Sequence, residues 1–125
     1  MGQASAKLRR TADGYSYWCQ GCESMHTVRT DGPSAIWGFD GNVDAPTFTP
    51  SVLITSGHYV PSHKAGTPCW CTYNRDNPRR PSHFKCGRCH TFVRGGMVEF
   101  LPDCTHALAG QTLPLPDLPA HHRDP

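Results

Sequence analysis

Hydrophobic positions along this chain fall in short alternating runs, and no stretch carries the i, i+3, i+4 stripe of an amphipathic helix of ordinary length. The run Tyr15-Ser16-Tyr17-Trp18 predicts a strand, because aromatic side chains suit a half-buried pleated surface. Further on, AIWGFDGNVDAPTFTPSVLIT alternates β-prone pieces with turn signals at Asp40-Gly41-Asn42. Pro46 and Pro50 put these pieces at edges or bends, since proline donates no ladder hydrogen bond. Around Gly95-Gly96 the pattern predicts a hairpin in which Arg94 faces Met97, Val93 faces Val98, Phe92 faces Glu99 and Thr91 faces Phe100. Continued outward, the same register sets His90 against Leu101 and Cys89 against Pro102. Residues 56–88 follow neither period and read as a long loop or insertion. A short helix is expected at Thr105–Ala109, stopped by Gly110.

The expected fold is therefore mostly β with long irregular loops: a small single-domain, zinc-stabilised β fold with a C-terminal hairpin and at most one short helix. Residues 1–14 read as a flexible lead-in, 15–113 as the domain, and 114–125 as a Pro-rich extended tail. Trp37, Phe48, Val93, Val98 and Phe100 are the expected core.

Composition bears on what fastens such a fold. The chain has 125 residues with 37% hydrophobic side chains, 12 Gly and 12 Pro, so the apolar interior is small and an added fastening is expected. Formal net charge is +2, which points to neither nucleic acid nor a membrane. No run approaches the roughly 18 apolar residues that span a bilayer, and no secretory signal opens the chain. A soluble intracellular protein is the expectation, and there close cysteine pairs indicate metal more than disulfides.

Seven cysteines supply the ligands. Cys19-Gln20-Gly21-Cys22 has the spacing of a zinc knuckle, in which one turn presents two thiolates to one cation. A zinc-ribbon reading joins this pair to Cys86 and Cys89, which repeat the spacing. A hairpin reading joins it to Cys89 and Cys104, which share the apolar hairpin face, with His90 pointing away. Cys69, Cys71 and Cys86 are then left over, and His83 completes a second site. One zinc ion is expected and a second is provided for.

The strings WCQGCESMH at 18–26, WGFDGNVDAPTFTPSVL at 37–53 and CHTFVRGGMVEFLPDCTHALAGQTLPLPDLP at 89–119 resemble a family of small bacteriophage and prophage proteins that genome annotation labels "ammonia monooxygenase". The enzyme of that name is membrane-embedded, and this chain has no run with which to span a bilayer. The resemblance implies a phage origin, residence in the host cytoplasm or the virion, and motif positions Cys19, Cys22, His26, Cys89, His90, Cys104 and His106. Cys69, Cys71 and Cys86 lie outside that pattern. This favours the hairpin pairing and makes 56–88 an elaboration of this chain.

Three functions compete on these grounds. In the first, the chain is a metal-stabilised binding or structural module for a virion or host protein, since closed four-thiolate zinc sites hold folds together and rarely react. In the second it is a zinc-dependent, hydrolase-like enzyme in which His90, Asp103 and His106 work beside the metal. No Ser-His-Asp order, phosphate loop or His-Glu-x-x-His motif is expected. In the third, Arg75, Arg79, Arg80, Lys85 and Arg88, interleaved with Tyr73 and Phe84, contact nucleic acid.

Overall fold

The computed structural model describes residues 2–33, 35–82 and 84–123. Two antiparallel sheets carry the fold. The first holds β1 (Leu8–Arg10), β2 (Gly14–Cys19) and β3 (Ser24–Arg29) in that order. The second holds β4 (Gly38–Phe39), β5 (Phe48–Ser56), β6 (Gly87–Arg94), β7 (Met97–Phe100) and β8 (Thr112–Pro114), also in chain order. Such up-and-down order lets short turns link most neighbours. The long excursion is 57–86, between β5 and β6, which contains a 3-10 turn at Gly57–Tyr59 and the helix α1 (Trp70–Asp76).

The core lies where the inner faces of the two sheets meet. Leu8, Tyr17 and Val28 come from the first sheet, and Phe48, Val52, Val93, Val98 and Phe100 from the second. The Tyr17 and Phe48 rings stack across the layer at 6.1 Å. Trp37 is only partly buried against this cluster. Leu115 and Leu118 close it from the C-terminal side.

The hairpin register is the one the residue pattern predicts from Arg94↔Met97 to Thr91↔Phe100. Gly95 and Gly96 take φ of 57° and 78°, the left-handed pair that a two-residue turn of this twist requires. The strand then stops at Phe100, although the Leu101 amide still donates to the His90 carbonyl at 2.9 Å.

Two local expectations are corrected. Residues 105–109 form turns rather than a helix, because the chain must double back to lay β8 along β7, and the Gly110 amide donates to Phe100. Within the stretch expected to be loop, α1 forms with no buried residue. Trp70 stacks on Phe84 at 5.0 Å, and the Asn74 side chain accepts from the Ser82 amide at 2.7 Å, contacts that no apolar period announces.

Alternation places the chemistry. Along β6, Cys89, Thr91 and Val93 point inward while His90 and Phe92 face outward. Along β5, Val52 is buried and its neighbours Ser51 and Leu53 turn to the outer face, so Ser51 shares a face with His90. The β5–β6 register shifts between Phe48 and Val52, the interval that contains Ser51. Irregularities of this kind recur beside functional sites, where they re-aim a side chain.

Candidate active site and metal centres

On the outer face of the second sheet, Ser51 Oγ lies 2.9 Å from His90 Nε2. His90 Nδ1 lies 3.2 Å from Asp103 Oδ2. An ionised carboxylate only accepts, so the ring proton belongs on Nδ1 and leaves Nε2 to accept from the serine hydroxyl. Each member comes from a separate element: Ser51 from β5, His90 from β6, and Asp103 from the turn that follows β7. The Ser51 carbonyl is held by the Trp37 indole N–H at 3.2 Å. The ring of His90 is 27% exposed and the Asp103 side chain 44%, so the set is open to solvent.

This corrects the expectation that no serine, histidine and aspartate stand in order. His90 and Asp103 were candidates from the residue pattern, and the structure joins them directly. It places His106 elsewhere, on the inner side. Ser51 lies in no Gly-x-Ser-x-Gly elbow, so no local motif marks it. Its signal is positional: a serine directly after Pro50, two residues from Leu53 on the face of β5 that meets His90.

Behind the same strand the thiols gather. Cys19, Cys22, His26 and Cys89 present ligand atoms that all lie within 4.8 Å of one another. Cys19 ends β2 and Cys22 sits in the turn to β3, where its amide donates to Cys19 Sγ at 3.4 Å. His26 comes from β3, and Cys89 reaches across from the second sheet, its sulfur 3.8 Å from that of Cys19. His26 is buried, and its Nε2 has no hydrogen-bond partner among the described residues. A buried imidazole nitrogen left unpaired is costly unless something else engages it. Hydrogen bonds from Cys22 and Cys89 hold the Cys19 thiol far below its usual range. The opposite holds for its partners: the bond to Cys19 pushes Cys22 up to about 12, and Cys19 and Cys22 together drive Cys89 higher still. Three crowded sulfurs cannot share negative charge without a cation among them.

A second group overlaps the first at one sulfur, with Cys89, Cys104 and His106 within 4.8 Å of one another. Here His106 Nδ1 accepts from the Leu108 amide at 3.2 Å, so its Nε2 carries the proton and points at Cys89 Sγ, 3.4 Å away. That geometry makes His106 a hydrogen-bond donor to the sulfur. A β-carbon at Gly21 would overlap the His106 ring, which explains the glycine in the Cys19–Cys22 turn. Cys104 Sγ takes the His90 amide at 3.2 Å.

A third group lies in the 57–86 excursion, where His58, Cys69, Cys71 and Cys86 come within 4.8 Å of one another. The sequence reading completed this set with His83, which lies outside the described residues. All seven cysteines are free thiols. The soft sulfur and imidazole donors of these groups are compatible with a bound metal ion.

The basic stretch of the same excursion is partly engaged within itself. Arg75 pairs with Asp76 at 3.0 Å, and Trp70 and Phe84 stack on each other. No helix is long and apolar enough to cross a membrane among the described residues.

The chain is thus a two-sheet β domain with a hydrogen-bonded serine, histidine and aspartate on one face and thiol clusters on the other. The chain belongs to the family described as bacterial ubiquitination-like system serine protease (BubE), whose model matches residues 2–101. No curated protein and no solved structure matches it.

Proposed function

We propose that this chain is a serine protease of a bacterial ubiquitination-like system, with Ser51 as nucleophile, His90 as general base and Asp103 as the carboxylate that orients it. The hydrogen-bonded run Ser51–His90–Asp103 carries this reading, at 2.9 and 3.2 Å. In the reaction Ser51 Oγ attacks the scissile carbonyl while His90 Nε2 takes the hydroxyl proton, then delivers it to the leaving amine. Asp103 keeps the Nδ1 proton in place and stabilises the imidazolium that forms. Water repeats the sequence on the acyl-enzyme and frees Ser51. Access supports the same reading: β4 pairs with β5 only as far as Thr49, so from Pro50 onward that side of β5 borders no other described strand.

On this reading the metal holds the scaffold and takes no part in bond cleavage. Zinc is the ion assigned on this reading, since three thiolates and an imidazole are a common structural zinc set, and Cys19, Cys22, His26 and Cys89 are the proposed donors. The orphaned His26 Nε2 favours it over Cys104 as the fourth ligand. In place of the virion or host partner, the proposed partner is a protein substrate of the ubiquitination-like system that the family description names.

A fluorophosphonate probe tests the proposal. The wild-type chain should form an adduct mapped by mass spectrometry to Ser51, and Ser51→Ala should not react while keeping its metal. An unreactive wild type, or equal labelling of the alanine variant, overturns it.

A further inference from the structure

We propose that His58, Cys69, Cys71 and Cys86 form a second, independent zinc site that fastens the 57–86 excursion to the ends of the two strands carrying Ser51 and His90. The inference stands apart from the protease reading, since none of these residues touches Ser51, His90 or Asp103.

Geometry comes first. The four ligand atoms lie within 4.8 Å of one another, although they come from separate places: the 3-10 turn after β5, the start of α1, and the residue just before β6. Tetrahedral zinc with S and N bonds of about 2.0–2.3 Å sets its ligand atoms roughly 3.3–3.8 Å apart, so a cluster within this bound needs only a small contraction to close on an ion. Gly57 supplies an independent observation. It has φ of +60°, and a β-carbon there would overlap the Cys86 sulfur, so the backbone passes this cysteine as only glycine allows. The approach brings His58 over the thiols.

Burial supplies the need. No described residue from 57 to 86 is fully buried, so the excursion has no apolar core of its own. An isolated helix as short as α1, seven residues, is far below the length that holds together in water. Something other than the hydrophobic effect must order it, and a closed ion of this type contributes its binding energy directly to folding. The site also sits at a useful place. His58 is two residues beyond the end of β5 and Cys86 directly precedes β6, where Ser56 pairs with Gly87. The Ser56 hydroxyl donates to the Lys85 carbonyl at 2.8 Å across the same mouth. Clamping that mouth fixes the β5–β6 register from the end opposite the register shift between Phe48 and Val52.

Metal content and cobalt spectra of the full chain decide the matter. Wild type should carry two equivalents of zinc, and Cys71→Ser and His58→Ala should each carry one. His58→Cys should keep two, and its cobalt form should show the d–d bands of a four-thiolate site in place of three thiolates and nitrogen. Should Cys71→Ser unfold outright, the His58 pair still decides, because His58 is an exposed residue. Two equivalents retained in His58→Ala, or unchanged cobalt bands in His58→Cys, overturn the assignment. A disulfide among Cys69, Cys71 and Cys86 in protein freshly prepared without added reductant does the same. Fluorophosphonate labelling of Ser51 in these variants separates a failure here from a failure of the protease reading.

Discussion

The backbone N–H of His90 donates to Cys104 Sγ at 3.2 Å, while the ring of the same histidine is held by Asp103, the residue next to that cysteine. On its other side His90 follows Cys89, whose sulfur lies against Cys19. The histidine and aspartate of the outer face are thus each bonded along the chain to a thiol of the inner face. Alternation along β6 makes this possible, since consecutive side chains point to opposite faces. On the proposed reading, an ion held by the sulfurs would order Ser51, His90 and Asp103 from behind the strand, away from the scissile bond.

The first prediction concerns Asp103. Asp103→Asn should lower kcat by a factor on the order of 10³–10⁴, because an amide side chain no longer enforces the Nδ1–H tautomer. Its side chain is 44% exposed, so the melting temperature should hardly move, a surface change being within about 0.5 kcal/mol. Steady-state kinetics and a thermal melt on the same sample check both. Wild-type kcat in Asp103→Asn would remove the carboxylate from the mechanism.

Cys104→Ala tests positioning. It deletes the sulfur that accepts the His90 amide, and a catalytic ring displaced by even 1 Å can cost about a hundredfold. We expect kcat to fall by roughly ten- to a hundredfold with KM little changed, and metal content to equal that of wild type. Loss of one metal equivalent instead would move Cys104 into the ligand set in place of His26.

Much of this arrangement was legible from residues alone, and the parts that were not share a cause. Strand alternation and the Gly95-Gly96 turn fixed the hairpin register, since side-chain period and turn type admit one solution. His90 and Asp103 stood out as polar residues next to thiols. Ser51 did not, because nothing local marks it; only the pairing of β5 with β6, set by contacts distant in sequence, brings it to His90. His58 was hidden in the same way, being 11 residues from Cys69, the nearest thiol of its group. The terminal segments misled for a different reason. Leu8 was passed over among basic residues, and Leu115 and Leu118 among prolines, yet all three are fully buried.

The tail supplies the next prediction. Leu118 is 0% exposed, and its amide donates to the Ala6 carbonyl at 2.8 Å, while Lys7 pairs with Asp117 at 2.9 Å. The tail therefore closes the core over β1. Leu118→Ala should cost about 2–5 kcal/mol, the usual range for emptying a fully buried leucine site. Lys7→Ala should move the midpoint far less, because its ion pair is exposed and screened by solvent. Urea unfolding of the two variants checks the contrast, and similar midpoints would mean that the tail is not part of the cooperative unit.

Metal exchange separates scaffold from chemistry. A structural zinc contributes an apparent ~10–16 kcal/mol to folding, as much as the ~5–15 kcal/mol total stability of an ordinary domain. Stripping the ion with a strong chelator, or Cys19→Ser, should therefore abolish the cooperative melt as well as activity. Replacing zinc by cadmium should restore both, with kcat at its zinc value. The reason is geometric: Cys89 points inward from β6 and His90 outward, so the proposed ion lies behind the strand from Ser51 Oγ. An ion that activated water would behave otherwise, because cadmium would change the pKa of its bound water and move the pH profile. A shifted profile in the cadmium protein would return the metal to the mechanism, and a chelated protein that kept its melt would remove it from the scaffold.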